Sequence, residues 1–427
     1  MDKSKYIKTN DLDLSKFIKP GDSVICGQAS GEPVSLTEKL VEQRERIGPI
    51  NLFLGLSLSK IFQPKHADYI RFDSFGPMGN SRRLAEAGVL NITPVNYAQI
   101  NQYIKEGSLD CDVALVLLSP PGPDGKYGFG LVNDYIRAAI DKARVVIGEV
   151  NDQIPWVYSE GSPEIEKFSA IIETSRPPLE VGPGKISGVD NRIGEIVSRY
   201  IEDGSVLQIG MGSIPEAIAA SIEDRRDLGF HSGMAGDYLV DLMEKGVVTN
   251  ELKPIDRGVS SAAVFVGSNR LYDFVRCNRA VKLRPSWHTH SGDLHRFDRL
   301  ISVNSALEVD LTGQIGAEEI NGVAKSAIGG QPDLVRAAHR SIDGHAIIAL
   351  PSSAVGGKVS RIVKSLSGPV TTPRSDVDVV VTENGFADLR GKNLTERKRL
   401  LVKLAAPQFQ AALMDDKHIK GTQFLEN

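Results

Sequence analysis

Short runs of β-branched and apolar residues recur along the chain: SVIC (23–26), INLFLGL (50–56), VALVLLS (113–119), VVIGEV (145–150), SVLQIG (205–210), AIIALP (346–351) and VDVVVTENG (377–385). Several are apolar at successive positions, the pattern of a strand covered on both faces within a parallel sheet. Gly, Pro or Asp bounds each run. Helical patterns lie between them, at Leu36 to Arg44, Asn133 to Lys142, Pro215 to Glu223 and Thr395 to Lys403. Strand followed by helix, repeated, predicts an α/β fold with mostly parallel sheets.

An internal echo sets the expected domain count. KPGDSVICGQASGEPVSLTEKLVEQ (19–43) and IEDGSVLQIGMGSIPEAIAASIEDR (201–225) share a Gly-led turn, a short strand, a Gly-rich loop, a proline and a helix. The proline follows the first strand valine by nine residues in both, Val24 to Pro33 and Val206 to Pro215. Two tandem α/β domains are the simplest reading, joined within the Pro- and Gly-rich stretch RPPLEVGPGKISG (176–188). We set the expected domains at 1–183 and 184–427.

Composition narrows the function. The chain has 427 residues, with 50 basic against 54 acidic side chains, so it offers no basic field for nucleic acid and no polybasic arm for a membrane surface. Cys26, Cys111 and Cys277 are odd in number and far apart, which argues for a reducing compartment. MDKSKYIKTNDLDLSKF lacks the apolar segment of a signal peptide, and apolar runs such as Val113 to Leu118 are far shorter than the ~20 residues of a membrane span. The expectation is a soluble, cytoplasmic protein. Three glycine-rich loops follow expected strands: CGQASGEP (26–33), IGMGSIP (209–215) and SAIGGQPD (326–333). Singly each is a plain turn. Together, at strand ends where open α/β sheets bind ligands, they predict a binding site.

GMGSIPEAIAA, HSGMAGDYLVDLMEKGVVTN, SVNSALEVDLTGQIGAEEINGVAKSAIGGQPDL, HAIIALPSSAVGGKVSRIV and VTTPRSDVDVVVTENGFADLRGKNLTERKRLLVKLAAPQF resemble the acetyl-CoA hydrolase/transferase family, as do SPPGPDGKYGFG and GEVNDQIPWVY. The 4-hydroxybutyrate CoA-transferases look most similar. The resemblance implies two α/β domains of the CoA-transferase type with a site in the cleft between them. It also implies coenzyme A as part of an acyl-CoA substrate, a small carboxylate as co-substrate, no tightly bound cofactor or metal, and a homo-oligomer such as a homodimer. Gly329 and Gly330 resemble the oxyanion loop, and Asn304 a residue that hydrogen-bonds the reacting carbonyl. Gly210, Gly212 and Pro215 resemble the CoA-binding turn, and Gly233 and Gln331 are also expected to contact the coenzyme.

Two departures matter more than the matches. The family's nucleophilic glutamate lies in a His-Thr-Glu-Met type stretch, and here the matching positions read His231-Ser232-Gly233-Met234. Glycine offers no nucleophile. A polarised thioester beside an empty volume suits water, for which His231 and Glu308 are the candidate bases and Glu32 a weaker third. Asp237 lies four residues along and is not expected to replace the glutamate. The second departure is PSWHTHSGDLHRFDR (285–299), where His288, His290, His295 and Asp293 have metal-ligand character, although a solvated or substrate-facing loop is the favoured reading. Arg270, Arg276, Arg279 and Arg284 nearby are read as surface by default, while Asp376, Asp378, Glu383 and Asp388 are read as architecture. An acyl-CoA hydrolase is therefore the leading expectation. The alternatives are a CoA-transferase using Glu308, a ring-opening hydrolase of a cyclic 3-oxoacyl-CoA, and a non-catalytic CoA-binding protein.

Overall fold

The first sheet runs in the order β4-β3-β2-β1-β5-β6-β7 in the computed structural model, which describes residues 3–415. Its strands are β1 (Ser23–Cys26), β2 (Ile50–Leu54), β3 (Ile70–Ser74), β4 (Leu90–Ile92), β5 (Val113–Leu118), β6 (Val145–Asn151) and β7 (Ala170–Thr174). All neighbours pair in parallel. Every residue of β5 and β6 is buried, which is why their sequences do not alternate. Order reverses between β1 and β5, and a crevice opens at such a reversal.

The second sheet repeats the plan. It contains β8 (Val206–Ile209), β9 (Gly229–Ala235), β10 (Ser260–Phe265), β11 (Val281–Leu283) and β12 (Leu300–Asn304) in the order β11-β10-β9-β8-β12. Strands His345–Ala349, Val379–Thr382 and Gly385–Asp388 extend it beyond β12. Its pairs are parallel except the last, because the run expected to be one strand turns back on itself after Thr382. The echo is structural too. Pro33 immediately precedes the helix Val34–Ile47, and Pro215 sits in the first turn of Ser213–Ala220, where a missing N–H breaks no helical bond.

The two halves are tied at their strand ends. Ser30 Oγ donates to the Phe265 carbonyl at 2.6 Å, Phe265 N–H to Leu131 at 2.9 Å, and Asn133 N–H to Ala263 at 3.0 Å. Ala29, Leu131, Val132 and Val157 from the first half share one apolar core with β8, β9 and β10. Burial of this seam holds the loops after β1, β2 and β3 against the carboxyl ends of β9 and β10. Among the described residues, no helix is long and apolar enough to cross a membrane.

The acidic segment near the end of the chain is architecture. Wholly buried Asp378 accepts from His339 Nδ1 at 2.6 Å and from Ala346 N–H at 2.9 Å, fastening the helix Gln331–Arg340 to the strand His345–Ala349. Glu383 accepts from Ser352 N–H and Oγ, while Asp376 and Asp388 pair with Arg336 and Arg390. Asp378→Ala strands a buried N–H and should lower the urea unfolding free energy by about 1–3 kcal/mol. His339→Ala should cost clearly less, because that ring is partly solvated; equal costs would contradict the latch.

Candidate active site

A cavity of about 130 Å³ lies at the seam, lined by Gln28, Ala29, Leu56, Phe75, Met78, Tyr97, Gly233, Met234, Val264, His290, Gly329 and Gly330. Its walls come from loops after β1, β2 and β3, from the ends of β9 and β10, and from the loop before the helix Gln331–Arg340. Apart from the loop before that helix, these are carboxyl ends of strands in both sheets, where the sequence predicts a ligand.

His290 is wedged between two glycines. A Cβ on Gly233 would lie 2.6 Å from His290 Cε1 and 2.7 Å from Nε2, and a Cβ on Gly330 would overlap the Cδ2–Nε2 edge of the same ring. The imidazole therefore occupies the volume that a side chain at residue 233 would enter. Its Nδ1 lies 3.3 Å from the Ser286 carbonyl and 2.9 Å from Thr289 Oγ1. A carbonyl only accepts, so the proton is assigned to Nδ1 and the Nε2 lone pair faces the glycines. Burial lowers the imidazole to about 4, so it is neutral near pH 7. The edge of the ring meets Tyr97, 5.1 Å between centroids.

Gly330 caps the helix Gln331–Arg340, and its N–H has no partner among the described residues. Gly329 adopts φ +60°, a left-handed conformation that favours glycine, and its carbonyl accepts from Tyr97 N–H at 2.9 Å. The loop thus presents a free N–H and a helix N-terminus at the cavity wall, beside His290.

The other expected residues divide. Gly233, Gly329 and Gly330 share the cavity. Asn304 and Gln331 line a wider groove of about 680 Å³ that meets the cavity at Gly330 and also carries Arg82, Lys325 and Arg361. Asn304 Nδ2 is spent on Gln208 at 3.1 Å and Ser302 at 2.9 Å, and Gln331 bridges the Ser305 carbonyl and Thr372. Glu308 lines neither space; its carboxylate is clasped by Ser367 N–H at 2.8 Å and Oγ at 2.9 Å. Glu32 accepts from the N–H groups of Leu58 and Ser59, and burial raises it to about 7. Asp237 caps the helix Asn269–Val275 through Ser268. Gly210, Gly212 and Pro215 line neither the cavity nor the groove, although Gly212 opens the helix Ser213–Ala220.

The histidine-rich loop is split three ways. His290 enters the cavity, and His295 is exposed with Nδ1 2.5 Å from the Gly292 carbonyl. His288 turns to Asp256 at 3.3 Å and stacks 5.6 Å from His231. His231 is wholly buried, with both ring nitrogens unpartnered among the described residues; burial holds it neutral, well below its ordinary range, and Lys253 adds to this. It touches Phe297 and His288 and does not line the cavity, so it stands away from the position expected of a base. His231, Asp256 and His288 bring ligand-type atoms within 4.8 Å of one another. Both Asp256 oxygens are already committed, to Arg284, to Ser261 at 2.6 Å and to His288, so the group works as an anchor for the loop. Arg270 pairs with Asp241 and Glu244, Arg276 with Asp273, and Arg279 with Tyr158.

The wedge predicts a double-mutant cycle. Gly233→Ala should cost about 1–3 kcal/mol by overpacking against His290. In a His290→Ala background most of that cost should vanish, and additive costs in urea denaturation would show that the two positions do not compete for space.

Comparison with known proteins agrees with the architecture. Residues 2–178 match the acetyl-CoA hydrolase/transferase N-terminal domain and residues 267–417 its C-terminal domain. The chain is 36% identical to a 4-hydroxybutyrate coenzyme A transferase of Clostridium kluyveri, covering 92% of this chain and 93% of that one. It is 31% identical to a succinyl-CoA:cyclohexane-1-carboxylate CoA transferase of Geobacter metallireducens, covering 95% and 93%. The crystal structure of RipA from Yersinia pestis superposes with a TM-score of 0.90 at 32% identity, covering 96% of each chain. By sequence, domain order and fold, this chain is an enzyme of the acetyl-CoA hydrolase/transferase family.

Proposed function

We propose that the protein hydrolyses an acyl-CoA thioester, with His290 as the general base for water. The observation that carries this reading is the His290 ring in the volume that a residue-233 side chain would enter, between Gly233 and Gly330. Water on Nε2 loses a proton to the imidazole as its oxygen attacks the thioester carbonyl carbon. The carbonyl oxygen, now an oxyanion, is met by the Gly330 N–H and the helix N-terminus. Collapse breaks the C–S bond, the thiolate takes the proton from His290, and a carboxylic acid and free CoA leave. A positioned base typically supplies 10²–10⁴-fold, and one oxyanion donor about 10²–10³-fold.

Transfer to a carboxylate needs a nucleophile that forms an anhydride. Glu308, the expected substitute, is held by Ser367 and lines neither cavity nor groove, which favours water over transfer. We assign the wider groove to the CoA moiety, with Arg82, Lys325 and Arg361 available to its phosphates.

Free-thiol release from acyl-CoAs should occur without an acceptor, and acetate or succinate should neither accelerate it nor yield a new acyl-CoA. His290→Asn should reduce the rate by about 10²–10³-fold while CoA still binds. Because His290 is neutral above its value of about 4, activity should rise with pH through that region and be level by pH 6. A profile with its inflection near 6.5, or acceptor-dependent exchange, would overturn the assignment.

A further inference from the structure

Resting on the reading of this cavity as the acyl site, we infer that the protein selects a short hydrocarbon acyl group and discriminates against hydroxylated and anionic ones. Leu56, Phe75, Met78, Met234 and Val264 give the cavity an apolar wall, and no charged side chain lines it among the described residues. Its volume of about 130 Å³ is close to that of a dry protein cavity known to admit a six-carbon ring.

The two polar side chains besides His290 are already engaged. Gln28 Nε2 donates to Tyr97 Oη at 2.7 Å and to Asp134 Oδ2 at 2.5 Å, while its Oε1 accepts from Leu56 N–H at 2.7 Å. Tyr97 Oη donates to Asp134 Oδ2 at 2.9 Å, so its only proton is spent. Asp134 is wholly buried behind them, and its other oxygen accepts from Ile136 N–H at 3.0 Å. Burial raises this carboxyl, and the three donors oppose that shift by favouring its ionised form. A hydroxyl on the acyl chain would lose water and find no side-chain donor on the wall to replace it, the Gly330 N–H being assigned to the oxyanion. A carboxylate would in addition face the Asp134 charge one layer away, with no cation to offset it. His290 Nε2 does not change this, since the hydrolytic reading commits its lone pair to the attacking water.

Non-hydrolysable thioethers separate this inference from the hydrolytic reading. Titration calorimetry should show S-butyl-CoA binding at least about tenfold tighter than S-(4-hydroxybutyl)-CoA, and about a hundredfold or more tighter than S-(3-carboxypropyl)-CoA. Val264→Thr places a hydroxyl on the wall in nearly the same shape, and it should narrow the butyl-to-hydroxybutyl ratio several-fold. Equal or reversed affinities, no measurable binding of S-butyl-CoA, or an unchanged ratio in folded Val264→Thr would each overturn the inference. Butyryl-CoA bound with the expected selectivity but never hydrolysed would leave the inference standing and sink the hydrolytic reading.

Discussion

A ring and a missing side chain form a single constraint at the centre of this molecule. His290 fits only because residues 233 and 330 carry no Cβ, and the two glycines sit on different elements, strand β9 and the loop before the helix Gln331–Arg340. The ring must then be held from behind. His288, two residues earlier, is fastened to Asp256, which is itself gripped by Arg284 and Ser261. Ser286 is fastened from the other half of the chain, by Asn101 Nδ2 at 2.5 Å. The short helix that carries them both, Ser286–Thr289, is thereby pinned by both domains, and His290 follows it directly. Positioning of this kind is what a reactive group needs, because misplacement by about 1 Å can cost 10²-fold in rate.

How far this was legible in the sequence depends on what each residue does. The strands at 23–26, 113–118 and 145–151 were visible because burial on both faces leaves unbroken apolar runs. The strands that build the site were not. Strand β9 reads GFHSGMA and β10 reads SSAAVF, with Ser232, Ser260 and Ser261 wholly buried. These serines bond within the second half, Ser232 to the Ile209 carbonyl, Ser260 to Asn250 and Ser261 to Asp256, and no periodicity records that. The Gly233 departure was plain against the family pattern, yet the base expected beside it was its neighbour in sequence, His231. In space the neighbour is His290, which reaches Gly233 across the sheet end. Both departures from the family were visible, at 233 and in the loop 285–299; that they fill one volume depended on tertiary packing. Gln28 lay in a recognised glycine-rich loop, but Tyr97 and Asp134 carried no motif, since the role of all three comes from mutual hydrogen bonds between separate elements.

A base held near 4 is a weak one, and the same burial that orients His290 opposes its protonation. Taken alone this argues against general-base work, because proton transfer to so weak a base is uphill in a neutral solution. In the proposed hydrolysis the transition state would supply the compensation: the proton would reach the ring as negative charge reaches the carbonyl oxygen, which that reading sets toward the Gly330 N–H. Imidazolium and oxyanion would then form an opposed pair, and a charge pair a few ångströms apart is worth several kcal/mol at an effective dielectric near 20. On that reading the low resting value would be lifted only while the oxyanion exists. The free enzyme keeps a neutral ring and an intact lone pair, and the attraction is realised in the transition state rather than in the ground state, which is where it accelerates the reaction. A glutamate at residue 233 would act differently. It would carry its charge before the substrate arrived and attack directly. On the proposed reading, substituting a neutral ring for it exchanges a standing charge for a transient one, and the chemistry that would suit a transient charge is proton removal from water.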